Sequence, residues 1–143
     1  MHRLMQALTR RSRLLVAPLA ALAADAAMTL LLQSSDYWSG RYEVASEAEF
    51  IGATTLRLHP LAFMVWIAVW ASVLAVVIAL VPRTIARIIC VAAAMLHTFA
   101  LLTWLWAWAS NPYITYMCGL VSAALIVYSL EQKTGADNEA STK

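Results

Sequence analysis

Four long apolar segments constrain the fold of this chain more than any other feature. They run over residues 14–32, 61–81, 88–108 and 113–130. Each approaches the roughly 20 residues that a helix needs to cross a hydrocarbon core about 30 Å thick. The hydrophobic content of 62% exceeds that of soluble domains, which are about half apolar. The sequence predicts an all-α membrane protein, an up-and-down bundle of four transmembrane helices over residues 1–130, followed by a disordered tail over 131–143.

Basic residues indicate how these helices are oriented. Eight of the ten lysines and arginines precede the first segment, lie between the second and third, or follow the fourth. Only Arg41 and Arg57 lie in the long connection over residues 33–59. Because cytoplasmic loops carry the excess of Lys and Arg, we expect a multi-pass protein of the inner (plasma) membrane with both termini in the cytoplasm.

The first segment allows a second interpretation. Its basic start and the run LLVAPLAALA also fit a cleaved signal peptide. Apolar character continues through AMTLLL, further than in most signal peptides, and cleavage would leave Arg83 and Arg87 outside. We expect the first helix to be retained, and cleavage stays the alternative.

The long connection carries a helical pattern of its own. Within EVASEAEFIGATTLRL, small and apolar residues recur at helical spacing: Val44, Ala48, Ile51, Thr55 and Leu58. This pattern predicts a short amphipathic helix in the first extracytoplasmic loop, lying on the outer membrane surface. Tyr37, Trp38 and Tyr42 precede it and suit a membrane–water interface.

Several functional classes lack their motifs in this sequence. The net charge of +2 is too small to indicate nucleic-acid binding, and no glycine-rich phosphate loop is present. Two cysteines make no disulfide framework, and no pattern identifies a cofactor. The expected partners are the lipid bilayer and either other membrane subunits or further copies of the chain.

Asp25 and His97 are the candidate catalytic residues. They lie about 16 Å and about 14 Å from the cytoplasmic ends of their segments at 1.5 Å per residue, so both fall near the bilayer centre. A charged group there costs roughly 2.5–3.5 kcal/mol, so Asp25 is expected to face inward and to meet His97. The pair is either a proton-carrying or metal-binding site, or a structural hydrogen bond that fixes helix pairing. Ser72 and Ser122 are expected at similar depth.

A second candidate site lies at the outer mouth of the bundle. His59 begins the second segment, and Glu47 and Glu49 lie a short loop away. One histidine and two carboxylates could bind a divalent metal ion. The alternative is that His59 caps a helix. The tryptophans, Trp66 and Trp70 among them, are expected to form an aromatic belt, or a groove for a lipid or quinone tail.

The order of these residues resembles a group of small bacterial four-helix inner-membrane proteins. In that group an Asp lies four residues before a Thr in the first helix, and a Glu-x-Asn-Pro turn follows. Here DAAMT supplies Asp25 and Thr29, and Glu47 aligns with the acid of the turn. The chain departs from the pattern with Glu49 and Phe50 in place of Asn and Pro. The resemblance covers residues 20–75 and implies a bacterial inner-membrane protein without implying an activity.

Signal peptidase II also has four helices and an Asp near a Thr or Ser in the first. Its protease activity needs two aspartates in later motifs, and the later segments here contain no Asp. The sequence therefore favours a non-catalytic accessory or assembly subunit, or a lipid-binding module. The alternative is an intramembrane enzyme or proton-coupled carrier that uses Asp25 and His97.

Overall fold

Helices make up all the regular structure of the residues that the computed structural model describes. These are residues 2–109, 117, 119–124 and 126–127, with side chains described from residue 11 onward except at 108 and 109. The elements, in chain order, are α1 (His2–Leu31), α2 (Ser35–Trp38), a 3-10 turn (Tyr42–Val44), α3 (Phe50–Leu58), α4 (Pro60–Leu80) and α5 (Arg83–Ala109).

Three of these helices are long and apolar enough to cross a membrane: Arg11–Leu31, Pro60–Leu80 and Arg83–Ala107. They match the first three predicted segments, and they fit a membrane-embedded, multi-pass protein. Half of the predicted fourth segment lies outside the described residues, and the residues described within it are helical. The predicted disordered tail lies wholly outside them.

The connection between α4 and α5 is shorter than predicted. The backbone N–H of Ala86 donates to the carbonyl of Pro82 at 2.9 Å, so helical hydrogen bonding begins at the proline. Arg83 and Arg87 therefore lie in the first turns of α5 rather than in a loop, which corrects the sequence assignment. The physical reason is that Pro is well tolerated at a helix start, where its missing N–H has no intrahelical partner to lose.

α1 packs between the other two long helices, and most closely against α5. Two clusters of buried side chains hold this arrangement. The cluster near the α4–α5 connection is Leu14, Leu15, Leu74, Ile78, Ala86 and Cys90. The cluster near the long connection is Ala26, Tyr37, Ala45, Leu56 and Phe63.

Arg11 ties α1 to the end of α4. Its guanidinium donates to the carbonyls of Ile78 at 2.5 Å and Val81 at 2.6 Å. The last carbonyls of a helix have no intrahelical donor, and the negative end of the helix dipole favours a cation there. The pairing satisfies both acceptors with one side chain.

The long connection folds into a cap over the other end of the bundle. α3 covers only the second part of the predicted helical pattern, and Val44 lies in the 3-10 turn instead. One face of α3 is buried through Gly52, Ala53 and Leu56. Phe50 and Leu58 are 81% and 69% exposed, so the helix keeps apolar side chains that the described residues do not cover.

Tyr37 lies at the centre of this cap, which corrects its predicted place at the membrane interface. Its side chain is fully buried, and its hydroxyl donates to the carbonyl of Leu56 at 3.2 Å. Trp38 and Tyr42 contact its ring edge to face. Burial, and secondarily the neighbouring Tyr42, raises the pKa of Tyr37 above its ordinary value. Trp38, by contrast, is 53% exposed, as an interfacial residue should be.

Candidate functional site

Asp25 of α1 and His97 of α5 are in direct contact, as the sequence predicts. The Oδ2 atom of Asp25 lies 3.0 Å from Nδ1 of His97, and the two side chains are only 15% and 13% exposed. Both helices are long enough to cross a membrane, so the pair lies in the transmembrane part of the bundle. The contact joins the two helices that pack most closely.

Trp70 of α4 completes a chain of three polar side chains. Its indole Nε1 lies 3.2 Å from Nε2 of His97 and donates to it. Each of the three long helices therefore contributes one residue: Asp25, Trp70 and His97. The hydrogen bonds run from the indole to the imidazole and from the imidazole to the carboxyl group.

The hydrogen bonds that His97 makes with Trp70 and Asp25 determine which of its ring nitrogens carries the proton. An indole nitrogen can only donate a hydrogen bond, so Nε2 of His97 has to be an unprotonated acceptor. The imidazole proton is then on Nδ1, and it is donated to Oδ2 of Asp25.

Sequence reasoning missed Trp70 as a polar residue because it assigned this tryptophan to an aromatic belt or to a groove for a lipid or quinone tail. The signal was available, since Trp70 lies ten residues into α4, about 15 Å deep at 1.5 Å per residue. Ser72, which was expected at the same depth, does not join the site. Its hydroxyl donates to the carbonyl of Ala68 at 2.7 Å within its own helix.

Thr29 lies one helical turn after Asp25 and begins a second polar cluster beneath the cap. Its hydroxyl donates to Oε2 of Glu47 at 3.2 Å, so it links α1 to the long connection. Gln33 binds both backbone groups of Ser46, accepting from its N–H at 2.9 Å and donating to its carbonyl at 2.8 Å. These bonds fix the connection to the end of α1.

Glu47, Glu49 and His59, the candidate metal ligands, each have a local partner. Glu49 accepts from the N–H groups of Ile51 and Gly52 at the start of α3. His59 accepts from the N–H of Leu61 at 3.0 Å and so caps α4. Within the described part of the chain, no group of three His, Cys, Asp or Glu side chains is placed to bind a metal ion. The metal site stays a prediction.

A cavity of about 400 Å³ lies along the seam between α1 and α5. Its wall includes Ala21 and Ala24 of α1 and Thr98 of α5, which neighbour Asp25 and His97 in their helices. Ser122, which was expected near the bilayer centre, also contributes to the wall. The cavity is half open to the surroundings of the bundle.

No protein-family model, curated protein or solved structure matches this chain. Its function is therefore argued from the geometry of the site.

Proposed function

We propose that this chain is a non-catalytic bacterial inner-membrane protein, an accessory or assembly subunit of a membrane complex or a lipid-binding module within one. In this proposal, Asp25, His97 and Trp70 form a structural tie between the three long helices. The observation that carries the proposal is that both ring nitrogens of His97 are engaged, one by Asp25 and the other by Trp70.

A histidine that relays protons accepts a proton on one nitrogen and releases one from the other. In this site Nε2 faces an indole N–H, which has no lone pair to receive a proton. A proton on Asp25 therefore has no onward path through His97 unless Trp70 moves away. The same engagement leaves neither nitrogen free to bind a metal ion or to act as a general base.

Replacing Asp25 with asparagine tests this proposal. The amide oxygen of Asn can accept the Nδ1 proton of His97, so Asp25→Asn is expected to keep the thermal unfolding midpoint and the proteins that copurify from native membrane. Asp25→Leu removes the acceptor and serves as the comparison. Its free energy of unfolding is expected to fall by about 0.6–2 kcal/mol, the contribution of one intramembrane hydrogen bond.

The alternative is a proton-coupled carrier or an intramembrane enzyme, and one observation favours it: the cavity lies along the same α1–α5 seam as Asp25 and His97. Proteoliposomes with a trapped pH-sensitive dye distinguish the two. The structural proposal predicts no proton flux above that of empty vesicles. A flux that Asp25→Asn abolishes while the protein stays folded would establish the carrier and remove the structural proposal.

The proposed orientation, with both termini in the cytoplasm, has its own test. Reporter fusions after Leu32 are expected to give an outside signal, and fusions after Val81 or Leu130 an inside signal, because the arginines and lysines concentrate on that side. An outside signal after Leu130 would contradict the four-span topology, and an inside signal after Leu32 would contradict the orientation.

A further inference from the structure

The cavity between α1 and α5 has a wall of small apolar side chains. α1 contributes Ala17, Ala20, Ala21 and Ala24, which share one helix face. α5 contributes Ala94, Thr98 and Leu101, and the later part of the chain contributes Met117, Val121 and Ser122. Small residues on membrane helices usually let two helices approach closely. Here they border an open volume of about 400 Å³ instead.

Hydrocarbon fits this volume better than water does. A water molecule in a cavity needs two to four polar partners, whereas Thr98 and Ser122 are the only polar side chains among the described residues of the wall. Protein interiors rarely leave voids larger than a water molecule, and an unfilled void becomes more destabilising as its volume grows. Around helices that are long and apolar enough to cross a membrane, the medium that can enter is lipid hydrocarbon.

Thr98 adds little polarity to the wall of the cavity. Its Oγ1 is buried and has no hydrogen-bond partner among the described residues. The hydroxyls of Ser72 and Thr103, on the other hand, donate to backbone carbonyls of the preceding turn, each at 2.7 Å. The Thr98 hydroxyl is therefore covered by surrounding atoms, and it does not supply a polar partner to a water molecule in the cavity.

We propose that this cavity holds one hydrocarbon chain of a membrane lipid. The inference rests on the lipid-binding part of the proposed function and deepens it by locating the site. The occupant could be an acyl chain of a phospholipid or a branched isoprenoid chain, because both present the same hydrocarbon surface to the alanine wall. It is bound by contact with carbon atoms, so neither Asp25 nor His97 takes part.

Photolabelling of the full-length protein tests the site. The probe is a phospholipid with a diazirine in the middle of one acyl chain, in vesicles of phosphatidylethanolamine and phosphatidylglycerol. In the wild-type protein, labels are expected to concentrate on the cavity face of α1, at Ala21 and Ala24. The exposed positions Ala23 and Ala27 on the same helix report ordinary contact with bulk lipid. Equal labelling of the two faces would overturn the proposal.

Two variants fill the cavity from opposite walls: Ala21→Leu and Val121→Trp. Each is expected to lower labelling of the cavity face about tenfold, because the larger side chain takes the space of several methylene groups of the bound chain. Ala23→Leu adds the same carbons on the exposed face and should leave the labelling unchanged. Val121 is 56% exposed, so its replacement keeps the test available if Ala21→Leu does not fold.

The proposal would be contradicted if Ala21→Leu or Val121→Trp folds and its cavity face is still labelled. It would also be contradicted if labelling of the cavity face falls equally in Ala23→Leu. Competition with an unlabelled isoprenoid alcohol then separates the two sources of the chain. Loss of label identifies an isoprenoid occupant, and retention identifies an acyl chain. A negative result here leaves the Asp25→Asn test of the non-catalytic proposal unaffected, since the filled variants leave the polar tie in place.

Discussion

Replacing His97 with leucine is expected to destabilise the protein by about 3 kcal/mol, and replacing Asp25 with leucine by only about 1 kcal/mol. The asymmetry follows from what each change leaves behind. His97→Leu leaves a carboxyl group in the bundle without its donor, and it also removes the acceptor of the Trp70 indole. Asp25→Leu leaves an imidazole that still accepts from Trp70.

The double variant Asp25→Leu, His97→Leu is expected to recover most of the loss caused by His97→Leu. Removing both partners of a buried polar pair is less destabilising than removing one. Unfolding of all four proteins by increasing denaturing detergent, followed by circular dichroism, gives the coupling free energy directly. Additive losses from the two single changes would show that the pair does not act as a unit.

Replacing Tyr37 with alanine is expected to destabilise the protein by about 3–5 kcal/mol, the usual loss for a fully buried aromatic ring. The ring fills the centre of the outer cap, and its hydroxyl links the first part of the long connection to the end of α3. Trp38→Ala is the matched control. Trp38 is half-exposed, so losing its ring contact is expected to lower the free energy of unfolding by about 1 kcal/mol or less.

Comparing the pH dependence of stability in the wild-type protein and in Tyr37→Phe isolates the contribution of the Tyr37 hydroxyl. Burial raises the pKa of Tyr37 in the folded protein, so the folded state favours the protonated phenol. The corresponding stability is fully present below about pH 10, the pKa of tyrosine in an unfolded chain, and is lost as the pH rises through the higher folded-state pKa. The wild-type protein is therefore expected to lose more stability than Tyr37→Phe between about pH 9 and pH 11. Parallel profiles would show that another group dominates.

Much of the site could be predicted because transmembrane helices have a fixed rise. Counting residues gave Asp25 and His97 the same depth, and the high free energy of a lone charge in lipid required them to meet. Trp70 was missed for a reason of chemistry, because an indole was read as an apolar ring with an interfacial preference. At mid-depth its N–H needs an acceptor, and His97 supplies one.

The cap was harder to predict because its contacts are not periodic. The helical pattern identified α3, but the burial of Tyr37 depends on how the connection turns back over the bundle. Gly40, with φ of 101°, sits in that turn, in a backbone region that residues with a Cβ rarely adopt. The cavity beside the alanines of α1 could not be predicted either, because it depends on where α5 and the later residues are placed.

The tie between Asp25 and His97 also has a consequence for biosynthesis. The two residues are 72 positions apart in the chain, so at a synthesis rate of about 5–20 residues per second the partner follows about 4–14 s later. Throughout that interval α1 carries an unpaired carboxyl group that the lipid interior disfavours. Release of α1 into lipid is therefore less favourable until α5 has been made and His97 can pair with Asp25.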